Sequence, residues 1–395
     1  MTKRIAPLLT IVFFLFSGSA CVPPPPPPQP VQAGLNFTGP SCVSDGAGNT
    51  TLKVLVLQNG YTPSSYYPPS HPLLQYARPK ADPNKSITPA MAADFAAAFA
   101  AAPPFFQQKL CDVDGIYVNP TGCSSYDGQN GCSGPPSDAD ILAYSWALKE
   151  GPTTEPNLGP QDHYHRYIAI SAGAWSGGGH APQYSDYEQR LLNQLLPSWP
   201  PNKTPPAYDT SKTSPNTFAM AVLAALAHEY GHILWYDTFR QNGTPYDFSK
   251  FCQGSFFGDS WKSVAPAPQW RYFGDRSPQS HANGDVQIGW IKQVLGRGDD
   301  NGRAWAAYYL DQYYNANGHW ASYFGTRSPD EDFVETFKFY VLQSAKPPLT
   351  NLPIMIRSSY PANNYDDDLP RHHPILSQPI GVYETKRDCF VKMFP

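Results

Sequence analysis

His228 and His232 stand four residues apart, with Glu229 directly after the first, in the stretch "ALAHEYGHILW". On a helix this spacing brings both imidazoles to one face, where they suit two corners of a zinc tetrahedron. Glu229 projects about 100° round the helix from His228. It can reach a water on such a metal without ligating the metal, the position a general base needs. The chain holds 10 histidines and seven glutamates. By composition alone the pattern arises in roughly 0.4% of shuffles, so chance is a weak explanation. The bland alternative is an ordinary helix with two histidines and a glutamate. It must account for three polar groups in an apolar stretch, each costly to bury without partners.

A catalytic zinc needs a third protein ligand. The metzincin extension would place Gly at 235 and His at 238, where this chain has Trp235 and Thr238. The aspzincin pattern leaves only a faint echo, Asp247 in "GTPYD". Three glutamates follow the motif: Glu331, Glu335 and Glu384. The first two lie in "SPDEDFVETF". HExxH followed by this E-x-x-x-E arrangement resembles the gluzincin metallopeptidases over about 15 residues around each motif. The resemblance implies that His228, His232 and Glu331 ligate Zn2+ and that Glu229 is the base. It implies that Glu335, one turn on, hydrogen-bonds a ligand histidine. The stretch from Ser328 to Glu331 is also a capping box, and if Glu331 only caps, Glu335 becomes the third ligand. The separation of 99 positions between His232 and Glu331 is long for this class and implies an insertion. Its Trp261, Trp270, Trp305 and Trp320 read as core more readily than as a substrate platform. His281, His319 and Tyr323 are all available as oxyanion donors, and the sequence does not choose among them.

Two helices must position these groups. Ser214 is a good cap and Pro215 suits a first helical position, and the following residues run without a breaker except Gly231. This helix is apolar nearly all round, hence buried. The second helix opens at Ser328 and Pro329 and stops before Pro347. Upstream, "TLKVLVLQNG" reads as a strand, and Thr88–Ala102 as a helix capped by Thr88. "CDVDGIYVNP" reads as a strand and turn, His165–Trp175 as a strand, and "YSDYEQRLLNQLLPSW" as an amphipathic helix. The mixture predicts an α+β fold. The resemblance implies a zincin-like, two-lobed domain. Its N-terminal lobe, to about residue 238, would hold a small mixed sheet with helices. The C-terminal lobe, about 239–395, would be mainly helical. Such folds often align substrate along an edge strand, for which 165–175 is the candidate.

The 395 residues suffice for one large domain or two modest lobes. Charged residues are only 15% and the net charge is −4, which argues against a nucleic-acid partner. Aromatic residues reach 14%, so Tyr, Phe and Trp should fill much of the core. The N-terminus reads as an export signal over residues 1–20: basic "MTKR", apolar "IAPLLTIVFFLF", then small residues ending at Cys21. Cys21 resembles the lipid-bearing cysteine of a bacterial lipoprotein, although Gly18 stands where Leu is usual. The Pro-rich segment 21–33 reads as a polyproline II tether, leaving 34–395 as the folded domain. Without Cys21, six cysteines remain: Cys42, Cys111, Cys123, Cys132, Cys252 and Cys389. In an exported chain they predict three disulfides, with Cys123 and Cys132 stapling a loop.

The expectation is a zinc metallopeptidase acting on protein or peptide substrates, exported and held to the cell envelope or surface through Cys21. Secretion is the alternative destination. Competing functions are a catalytically silent, metal-containing binding lipoprotein, a disulfide-held structural envelope protein, and a zinc hydrolase of cell-wall peptides. The intact Glu229 argues against the first, and no wall-binding repeat supports the last.

Overall fold

The computed structural model describes residues 37, 39–44, 50–58, 81–120, 125–126, 132–133, 143–149, 164–175, 179–195, 207–239, 321–322, 324, 329–357, 368–371, 387–388, 390–391 and 393–394. All belong to one unit, Asn36–Pro395. The expected signal segment, Cys21, the expected tether, Asp247, His281, His319, Tyr323, Glu384 and the four tryptophans of the expected insertion lie outside the described residues, as do Cys123, Cys252 and Cys389. Among the described residues no helix is long and apolar enough to cross a membrane.

The architecture is mixed helix and sheet. A four-stranded sheet has the order β3-β4-β8-β7. Its strands are β3 (Val54–Val56), β4 (Gly115–Asn119), β8 (Tyr164–Ser171) and β7 (Ala143–Lys149). β3, β4 and β8 run parallel, and β7 pairs antiparallel with β8. Two further pairs are β1 (Cys42–Ser44) with β2 (Thr50–Leu52), and β5 (Ser125–Tyr126) with β6 (Cys132–Ser133). The stretch expected as one strand from Thr51 is thus two, interrupted at Lys53. Parallel strands covered on both faces read as continuous apolar runs, and β4 is buried throughout. Ile116 faces Ile168 and Val118 faces Ile170 in register, and these four join the main core beneath the helices. Tyr117, Tyr167 and Ala169 alternate to the other face and pack with Leu57.

The expected edge strand needs correction. β8 lies inside the sheet, between β4 and β7, and ends at Ser171, where a 3-10 turn over Ala172–Trp175 takes over. Among the described residues β7 is the edge strand next to it, and it also approaches the helix that carries the HEYGH motif. Its sequence "AYSWALK" mixes helix and strand formers, so its strand character comes from pairing with β8 rather than from local preference.

Helix α1 (Pro89–Ala101) starts as expected: the Thr88 hydroxyl accepts from the Met91 amide at 3.2 Å, and proline occupies its first turn. Helix α2 (Pro104–Asp112) follows at once, and Cys111 at its end forms a disulfide with Cys42. Buried Asp94 of α1 binds the turn that follows β8. Its Oδ2 accepts from the Trp175 indole at 2.9 Å and from the Ala181 amide at 2.8 Å. Its Oδ1 pairs with His180 Nδ1 at 3.0 Å. Gly179, at φ 89°, lets the chain turn into this clasp.

Helix α3 is Tyr184–Leu195, helix α4 is Phe218–Phe239 and helix α5 is Pro329–Gln343. α4 is the centre of the molecule, packed by α1, α3, α5, β7 and β8. Residues 220–231 are all buried, as its apolar sequence requires. It starts later than expected. Ser214 and Pro215 form a cis turn outside the helix, and the Thr217 hydroxyl accepts from the Met220 amide at 3.1 Å in the capping role. Ser214 pairs with Asn351 instead. This bridge continues into a small sheet, β11-β10-β9: Asp368–Arg371, Ile354–Arg357 and Ala207–Tyr208. The segment leading into α4 is therefore tied to the segment leaving α5. The chain's C-terminal end closes the core with aromatic rings: Phe390 is buried, 5.0 Å from Phe333 and 5.4 Å from Phe337.

Candidate functional site

The HEYGH segment lies in the middle of α4, and each of its residues has a defined neighbour or depth. Tyr230 points into the aromatic core, edge-on to Phe106 at 5.7 Å between ring centres. Gly231 sits against α5: a Cβ built there would lie 3.1 Å from both Cα and Cγ1 of Val334. The missing side chain thus allows the two helices to approach backbone to side chain. Glu335 is the residue after Val334, and this close approach brings it beneath His228.

His228 is buried and His232 is half-buried, with ring centres 5.0 Å apart. His228 Nδ1 lies 2.7 Å from Glu335 Oε1; the carboxylate is fully buried and the imidazole nearly so. An ionised carboxylate only accepts, so Nδ1 carries the proton and donates. In the neutral ring Nε2 then keeps its lone pair, the form a metal takes. Phe324 packs edge-on to the same ring at 5.7 Å. Glu229 is buried beside the two histidines in sequence, at 5% exposure.

The second oxygen of Glu335 is also engaged. Oε2 accepts from the Ser322 hydroxyl, and from Lys338 Nζ at 2.7 Å. Lys338 is fully buried on α5 and also donates to Glu188 Oε1 of α3 at 2.8 Å. Its ammonium lies 5.6 Å from the centre of the Tyr187 ring and 5.1 Å from that of Phe339. Burial alone would push Glu335 up, but the Lys338 charge and the His228 hydrogen bond outweigh it and hold the carboxyl at about 2. Burial likewise opposes the Lys338 charge, but Glu188 and Glu335 overcome it and raise its pKa. Glu188 is pushed up, first by burial and, against the pull of Lys338, by the Glu335 charge. The two carboxylates compete for one cation, and Glu335 has the additional donor in His228. Tyr184, next to Glu188, is raised well above its usual value by burial and by that carboxylate.

No family model, curated protein or solved structure matches the chain. The chemistry of the site therefore rests on its own geometry.

Of the residues singled out in the sequence, the structure brings together His228, His232 and Glu335, with Glu229 on the same helix turn. Glu331 lies in the first turn of α5, one turn before Glu335, and its side chain is outside the described residues. Among the described residues no group of three or more His, Cys, Asp or Glu side chains converges as a metal cage. Sequence reasoning missed Ser322, Lys338 and Glu188. Lys338 did carry a signal: in "FVETFKFYVL" it is a lone cation inside an apolar run, where lysine is rarely buried unless paired.

The residues present fit a zinc ion in one testable respect. A ligand histidine is expected to donate its other ring nitrogen to a carboxylate, which fixes tautomer and orientation, and His228 does so to Glu335. The donor set, imidazole with carboxylate, suits zinc.

Proposed function

We propose that the protein is a zinc-dependent peptidase of gluzincin type, with a zincin-like fold. The single observation that carries this reading is the 2.7 Å contact of Glu335 with Nδ1 of His228, the first histidine of the HExxH helix. An ordinary core histidine has no need of a dedicated, ionised carboxylate, whereas a ligand histidine does. In this reading His228, His232 and Glu331 hold the metal. Glu335 orients rather than ligates, since His228, Ser322 and Lys338 already take both its oxygens. When bound, zinc polarises a substrate carbonyl and acidifies water. Glu229 takes the proton of the attacking water and returns it to the leaving amine. β7, the outer strand of the sheet among the described residues and near α4, offers backbone groups that an extended peptide can pair with, in place of the 165–175 strand. The signal segment and Cys21 support export and a lipid anchor at the cell envelope.

The test uses full-length protein with its disulfides intact, loaded with zinc and exposed to a diverse peptide library, with products read by mass spectrometry. Glu229→Gln is assayed in parallel. Cleavage by the wild type and its loss in a variant that still holds zinc is the expected result. A folded, zinc-loaded wild type that cuts nothing in the library would overturn the peptidase reading.

A further inference from the structure

The polar network beneath His228 extends beyond the two helices of the candidate site. It runs from His228 on α4 to Glu335 and Lys338 on α5 and ends at Glu188 on α3. Contacts between residues 107 and 150 positions apart build it. Lys338, Glu188 and Glu335 are all buried, at 2% exposure or less. Replacing such buried charges by packed apolar groups is often neutral or stabilising, so a buried ion pair is weak evidence of a role in stability.

The terminal torsion of a glutamate is broad, and nothing intrinsic decides which carboxylate oxygen faces a neighbour. Here Oε2 is pinned by Lys338 and Ser322, which leaves Oε1 aimed at His228 Nδ1. Lysine in turn has a flexible stem with little preference for one geometry. Glu188 and the flanking rings of Tyr187 and Phe339 hold it to one place. α3 is itself fastened next to the start of α4, because Asn216 Oδ1 accepts from the Ser185 amide at 2.9 Å.

We propose that Lys338 and Glu188 are positioning residues that set the aim of Glu335 on His228, making α3 a third structural support of the candidate metal centre. The part of this inference that concerns metal rests on the zinc reading above; the part that concerns the His228 hydrogen bond does not.

The experiment compares wild type with Lys338→Met, and with the double variant Glu188→Gln/Lys338→Met. The double variant keeps the protein foldable where the single one leaves two facing carboxylates bare. Two readouts are taken on full-length protein. Nitrogen and proton NMR of histidine-labelled, metal-free protein follows the His228 Nδ1–H, assigned with a His228→Gln variant. Competition with a chelating dye gives the zinc affinity. In the folded double variant the Nδ1–H signal should lose its protection from exchange, and zinc affinity should fall by about 10- to 100-fold. A folded double variant with both readouts at wild-type level would overturn the proposal and leave Lys338 and Glu188 as structural groups only. Loss of Nδ1–H protection in a protein whose wild type takes no zinc would support the positioning role while removing the metal reading.

Discussion

Gly231 of α4 lies against the backbone of Val334 of α5, so close that a Cβ at 231 would come within 3.1 Å of the Val334 Cα. The close approach sets the distance between the two helices at the level of the candidate site. The glycine is part of the HEYGH motif, and its neighbour across the interface is followed directly by the carboxylate that meets His228.

Gly231→Ala therefore has two opposing effects. It gains about 1 kcal/mol of helix propensity. It costs about 1–3 kcal/mol of overpacking, because the obstacle includes backbone rather than only a yielding side-chain tip. The expected change in stability lies between neutral and a loss of about 2 kcal/mol, measured by denaturant unfolding. Zinc affinity should fall in either case, since α5 must move away from His228. Unchanged affinity would mean that the helices adjust without moving Glu335.

Glu331 and Glu335 are assigned different work, and zinc stoichiometry separates them. Glu331→Ala should reduce bound zinc well below one per chain. Glu335→Gln should still bind zinc, with affinity lowered by about 10- to 100-fold. Full loss of zinc in Glu335→Ala with retention in Glu331→Ala would make Glu335 the ligand and Glu331 a helix cap.

The Cys42–Cys111 disulfide closes a loop with a sequence separation of 69. Loop-closure entropy alone assigns such a cross-link about 4 kcal/mol. Replacing both cysteines by serine should lower the unfolding free energy by that order. A shift of less than about 1 kcal/mol would mean that the unfolded chain is already constrained there.

Asp94 accepts from the Trp175 indole and the Ala181 amide, both donated by buried residues. Asp94→Ala leaves two donors without this acceptor. Each buried donor so exposed costs about 1–3 kcal/mol, so a loss of about 2 kcal/mol or more is expected in chemical denaturation. A loss under about 1 kcal/mol would show that water replaces the carboxylate.

What was legible in the sequence was local. The spacing of His228 and His232 and the Thr88 cap depend on residues within one helical turn, and such signals survive any fold. Ser214 misled because its backbone is engaged by Asn351, 137 positions away by residue number, which frees Thr217 to cap. The buried trio of Glu188, Glu335 and Lys338 joins α3 to α5, and no window of sequence contains both ends. α2 and β7 went unread for a related reason. The first sits behind two prolines, and the second owes its form to its partner strand. Composition did forecast the character of the core, where Phe106, Tyr230, Phe337 and Phe390 meet ring to ring.

The distance in sequence between His228 and Glu335 also orders events during synthesis. When His228 is added to the growing chain, the carboxylate that meets it is still 107 positions from being made. A chain cut or stalled before α5 carries the histidines but lacks both Glu331 and Glu335. Synthesis of α5 is thus a condition of the site. The hydrogen-bonded network around His228 therefore closes only after α5 has docked against α4, late in the making of the chain.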